Sequence, residues 1–70
     1  MNKTEKIKLH LIEKGSITSW QAIQFYGATR LSAIIYNLRY KYGMNIRSER
    51  VDFTDRFGSK SSYANYILED

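Results

Sequence analysis

Seventy residues carry eleven Lys/Arg against seven Asp/Glu, a formal charge of +4, and not one cysteine. A chain this short builds one small core and struggles to enclose a substrate-sized cavity. Without thiols there is no disulfide framework and no thiolate metal site, and a lone His10 cannot hold zinc by itself, so no metal and no cofactor are expected.

The positive balance suits a polyanionic partner. It is concentrated between Arg30 and Lys60, where seven basic residues face three acidic ones, while Glu69 and Asp70 sit at the C-terminus. No apolar run approaches the roughly 20 residues needed to span a bilayer. The opening "MNKTEKIKLH" lacks the apolar core and cleavage site of a signal peptide. A cytoplasmic protein with no membrane partner and no small-molecule substrate is expected.

Along the chain, "KTEKIKLHLIEKG" predicts a first helix that stops at Gly15, with Ile7, Leu11 and Lys14 at helical spacing. Leu9 and Ile12 fall toward another side. They belong either to a broad buried face or to a contact with a second copy of the chain. Ile17 follows as an isolated strand stub.

"TSWQAIQFYG" predicts a second helix, because Thr18 and Gln21 have the spacing of a capping box in which each side chain satisfies the other's orphan amide. Ala22, Ile23 and Tyr26 form its expected inward face, with Trp20 or Phe25 flanking and Gly27 as the stop. "ATRLSAIIYNLRYKYG" restarts at once. Thr29 is the expected N-cap of a third helix over 29–42, and Gly43 the matching stop. Leu31, Ile34, Ile35, Leu38 and Tyr42 recur at i, i+3, i+4, i+7 and i+11, within about 100° of arc. Ala33, Tyr36, Asn37 and Tyr40 therefore point the other way, flanked by Arg30 and Lys41 and by Ser32 and Arg39.

After Gly43, "MNIRSERVDF" and "SYANYIL" are rich in β-branched and aromatic residues, with turn residues in "TDRFGSK" between them. They predict a two-stranded hairpin whose tip spans 54–62. Ile46 and Val51 have opposite parity, so either a bulge separates them or only one is buried. The Ile17 stub is a candidate third strand. With no prolines, repeats or linker, residues 1–70 are expected to form a single domain. The class is α+β: three helices followed by a β-hairpin, in the element order of a winged helix-turn-helix.

The order and spacing of short motifs resemble the small winged helix-turn-helix proteins of bacteriophages and prophages. Those motifs are Gly15-Ser16-Ile17-Thr18, Ala22, Tyr26-Gly27, Leu31-Ser32, Ile35 and Leu38-Arg39, with "DRFGSKSSYANYIL" resembling the wing. Lys8 departs from the pattern, as do Leu9 and Ile12, which are apolar where polar is ordinary. The resemblance implies a DNA-binding regulatory module with the third helix in the major groove and the wing on the backbone.

Side-chain chemistry gives each position a role. Ala33 is small enough for close approach, and its methyl suits a thymine methyl. Asn37 carries the donor–acceptor pair that reads adenine, and Arg30 can reach guanine or hold a phosphate. Thr29, Ser32 and the first-turn amides suit phosphate. Tyr36 and Tyr40 combine ring packing with a hydroxyl for phosphate; Lys41 and Arg39 suit backbone contacts. The alternative for the tyrosines is ordinary packing under the wing.

Arg56 and Lys60 bracket the tip, where they would grip phosphates or keep a hairpin edge soluble. Asp52 and Asp55 oppose DNA binding there. Glu49, Asp52 and Asp55 alternate with arginines as if in cross-strand pairs. No nucleophile–base pair or phosphate-cradling loop is present, so an enzyme is not expected. The expected partner is double-stranded DNA, bound by two copies that meet at Leu9 and Ile12. The rival reading is a phage protein-interaction module that docks on a host protein through the tyrosines.

Overall fold

Asn2 opens the first helix by accepting the Glu5 amide at 2.8 Å, and Gly15 closes it by donating to Leu11 at 2.8 Å. This is α1, Lys3–Lys14, in a computed structural model that describes residues 1–69; Asp70 lies outside the described residues. Then come β1 (Ser16–Thr18), α2 (Ser19–Tyr26), α3 (Leu31–Tyr40), β2 (Ile46–Thr54) and β3 (Lys60–Leu68). The expected α+β order of three helices and a hairpin is present, and the Ile17 stub is a strand of the sheet.

The capping box at the head of α2 is formed. Gln21 donates its amide to the Thr18 hydroxyl at 3.1 Å, and the Thr18 amide donates to Gln21 Oε1 at 3.0 Å. Two orphan donors are thereby satisfied, and the chain leaving β1 turns directly into the helix.

The third helix is shorter than its 29–42 expectation. Thr29 is exposed and caps nothing; Arg30 holds the N-cap position without a side-chain hydrogen bond. The reason is packing. Ala28 is buried, with its amide on the Ala22 carbonyl at 3.0 Å, so the residues after Gly27 are held in a turn and cannot start a helix. Gly27 adopts φ +63°, a left-handed conformation that costs L-residues energy.

The same wrap recurs at the far end of α3. Gly43 has φ +65°, and the Met44 amide reaches back to Leu38 at 3.1 Å. The helix therefore closes at Tyr40, and Tyr42, expected inside, is 50% exposed. Its ring instead lies 4.9 Å from the Lys8 ammonium. Ile23 is likewise corrected from inward to 44% exposed, because the eight residues of α2 bury Ala22 alone and turn Tyr26 toward α1.

The sheet is antiparallel with β3 in the middle, order β1-β3-β2. Its ladder runs unbroken from Ile46↔Leu68 to Thr54↔Lys60, and Ile17 pairs with Tyr66. No bulge intervenes, so parity decides burial. Ile46 enters the core with Ile17, while Val51 sits on the opposite face. Ile7, Leu11, Ile17, Ile35 and Leu38 are the large, fully buried side chains where α1, α3 and the sheet meet. His10 is buried beside them and shares a 2.8 Å hydrogen bond with the Tyr26 hydroxyl, tying α1 to α2.

Candidate nucleic-acid interface

One stripe of α3 faces the core through Leu31, Ile35 and Leu38, and this sets what the other stripe presents. Side chains three or four positions apart share a face, so Ala33, Tyr36, Asn37 and Tyr40 lie together. Tyr36 and Tyr40 are 62% and 71% exposed, and their ring centroids are 4.5 Å apart. Neither tyrosine packs beneath the wing. Asn37 is half-buried at their side, and Ser32, Ala33 and Lys41 are exposed. Thr29 and Arg30, both exposed, flank the helix entrance.

Arg39 does not belong to this face. Its Nε donates to the Ile46 carbonyl at 2.9 Å, clamping α3 to the start of β2.

The second group of cations sits on the hairpin. Asp55 builds the tip: its Oδ1 accepts from Phe57 at 2.8 Å and from Ser59 at 3.0 Å, and its own amide donates to Ser59. Two amides accepted by one carboxylate oxygen make Asp55 a turn-former. Asp52 bonds Arg50 at 2.8 Å, which balances its charge. Arg56 and Lys60 are exposed on either side of the tip, and the Arg56 guanidinium lies 5.2 Å from the centroid of the exposed Phe57 ring.

The ion pairs differ from the cross-strand expectation. Arg47–Glu49 at 3.4 Å and Arg50–Asp52 at 2.8 Å run along β2 between residues two apart, and Arg47–Glu69 at 2.8 Å reaches across. Two-residue spacing in a strand places both partners on one face. All are exposed, each stabilising by about 0–1 kcal/mol.

The seven cations between Arg30 and Lys60 thus divide. Arg39, Arg47 and Arg50 are engaged with a carbonyl or a carboxylate, while Arg30, Lys41, Arg56 and Lys60 form no such bond among the described residues. One further feature lay in the parity of the hairpin. Thr54, Lys60 and Ser62 fall on the same face and line a shallow groove with Arg50 and Asp52, placing hydroxyls suited to phosphate oxygens beside Lys60, with the Asp52 carboxylate paired to Arg50.

A family model described as a winged helix-turn-helix domain matches residues 3–70. No curated protein and no solved structure matches the chain.

Proposed function

The chain belongs to the winged helix-turn-helix domain family, a membership that points to DNA as partner, and on that premise we propose that it binds duplex DNA sequence-specifically. Helix α3 enters the major groove, where Asn37 and Arg30 read base edges and Ala33 allows close approach. Tyr36, Tyr40, Ser32, Thr29 and Lys41 hold sugar and phosphate, and Arg56 and Lys60 bring the wing to the backbone. The task is regulation or DNA architecture in the cytoplasm of a bacterial host, in a phage or mobile element, and involves binding without catalysis.

The division of the cations carries this reading. Of seven basic residues between Arg30 and Lys60, the four without a hydrogen-bonded partner among the described residues lie at the ends of α3 and around the wing tip. Selection from a random duplex library, followed by anisotropy with wild type and Asn37→Ala, tests it. The expected result is a consensus whose discrimination falls by about 1–3 kcal/mol at one base pair in the mutant. Absence of duplex binding at low salt overturns it. The exposed Tyr36–Tyr40 pair would then mark a protein hot spot on a host partner.

One short recognition helix reads few base pairs, so useful specificity calls for two copies on a repeated or palindromic site. The α1 face is one candidate contact between them. Leu9 and Ile12 are exposed there and border a shallow groove with Met1 and Tyr42. If the copies meet there, Leu9→Glu with Ile12→Lys leaves the melting temperature nearly unchanged and lowers the sedimentation coefficient at high concentration. A folded double mutant that sediments as wild type removes this contact.

A further inference from the structure

The outward edge of β2 is a nine-residue strand side with no neighbour in the sheet. Its hydrogen-bonding groups can be assigned residue by residue. Asp55 donates to the Ser59 carbonyl and Glu69 donates to the Asn45 carbonyl, the two rungs that bracket the β2–β3 ladder. Narrow rungs recur at every second residue of an antiparallel pair, so odd-numbered residues of β2 bond to β3. The even-numbered ones, Ile46, Ser48, Arg50, Asp52 and Thr54, turn their amides and carbonyls to the open edge. At Ile46 the carbonyl is already taken by Arg39. The open edge therefore runs from Ser48 to Thr54, and its midpoint is Val51.

We infer that this edge pairs with the same edge of a second copy of the chain, antiparallel, about a two-fold axis at Val51. An isologous contact needs a surface that complements itself. Side chains opposed across antiparallel strands share a face, so the axis must pass through a residue. Centring on Glu49, Arg50 or Asp52 sets a charge against its own copy, and centring on Phe53 sets Arg50 against Arg56 of the second copy. Centring on Ser48 needs the occupied Ile46 carbonyl. At Val51, Arg50 meets Asp52 of the second copy twice, Ser48 meets Thr54 twice, Val51 meets Val51, and Glu49 lies opposite Phe53 twice. The flanking Arg47 and Asp55 are also opposed. Alternating charges ordinarily keep an edge strand from indiscriminate pairing; this alternation disfavours the neighbouring registers and admits one. The four even-numbered residues of each copy form rungs, with both helical layers on one side of a continuous six-stranded sheet.

The register also sets a spacing. Ile46, where the helices join the ribbon, lies five residues from the axis, so the two copies of that junction are about 33 Å apart along the strands. One turn of duplex repeats over about 34–36 Å, close to the separation of these two junctions, each tied to its own α3 by Arg39. That correspondence rests on the DNA reading; the pairing itself does not.

Because the natural chain has no cysteine, single replacements report the register without background. Val51 opposes its copy in a non-hydrogen-bonded pair, with Cα atoms about 4.5 Å apart, within the reach of a disulfide. Val51→Cys is expected to form a covalent dimer on mild oxidation without DNA. Glu49→Cys, about 14 Å from its copy in this register, stays monomeric. Sedimentation supplies an independent arm. Arg50→Asp and Asp52→Arg should each weaken self-association about tenfold, and both the double mutant and a mixture of the two single mutants should restore it. If folded Val51→Cys does not cross-link at high concentration, or the mixed mutants stay apart, the pairing is wrong. If Ile12→Cys cross-links in its place, the copies meet at α1 and the pairing is also wrong. A wild type that pairs this way yet ignores duplex DNA would sink only the DNA reading.

Discussion

Leu38→Ala is expected to lower the unfolding free energy by about 2–5 kcal/mol, the range for large-to-small changes at fully buried sites. Leu38 has no exposed surface, and it belongs to the cluster in which Ile17 and Ile46 bring the sheet against the helices. Its carbonyl also accepts the Met44 amide that wraps the chain around Gly43, so a shift of this turn of α3 is transmitted to the entrance of β2. A domain of this length is stabilised by only about 4–10 kcal/mol in total. Losing 2–5 kcal/mol should lower the melting temperature by about 8–40 °C, at 4–8 °C per kcal/mol. Leu9→Ala, on the exposed side of α1, is the control and should move it by a few degrees at most. Thermal unfolding followed by circular dichroism decides the matter. A Leu38→Ala protein that melts within a few degrees of wild type would mean that the helices and sheet do not share this core.

Local patterns were the legible part of the fold. Thr18 and Gln21 announce the head of α2 because a capping box is a contact between near neighbours, complete within four residues. Leu31, Ile35 and Leu38 announce the buried stripe of α3 for the same reason: helical period alone brings them together. What sequence periodicity misplaced depended on distant parts of the chain. Thr29 has the chemistry of an N-cap, yet burial of Ala28 against α2 holds the backbone in a turn until Arg30. Tyr42 continues the apolar period on paper, but the wrap at Gly43 ends the helix first and removes the phase that would have turned it inward.

The site divides along the same line. Which residues face outward on α3 follows from phase, and so Tyr36, Asn37 and Tyr40 were readable. Which cations have a hydrogen-bonded partner was not. Arg39 and Lys41 look equivalent in sequence, and only the passage of the Ile46 carbonyl beside α3 separates a clamp from an exposed charge. His10 and Tyr26, sixteen residues apart, become a pair only once α1 and α2 pack.

That separation of the cations sets the salt dependence expected of DNA binding. If Arg30, Lys41, Arg56 and Lys60 each neutralise one phosphate, log K should fall with log salt at a slope of about −3.6 per bound copy, from −0.9 per contact. Between 50 and 200 mM salt that is a loss of about 10²-fold in affinity. Arg56→Ala with Lys60→Ala should halve the slope to about −1.8 and weaken every duplex alike, since phosphates carry no sequence information. Asn37→Ala should leave the slope unchanged while relaxing discrimination at one position, because an uncharged amide releases no counterion. Lys6→Ala, on α1, should alter neither. Anisotropy titrations across four salt concentrations separate these cases. A slope unmoved by the wing double mutant would take the wing off the backbone. A binding partner insensitive to salt, yet lost with Tyr36→Ala or Tyr40→Ala, would place a protein where the duplex is proposed, because ring burial stabilises a contact without displacing ions.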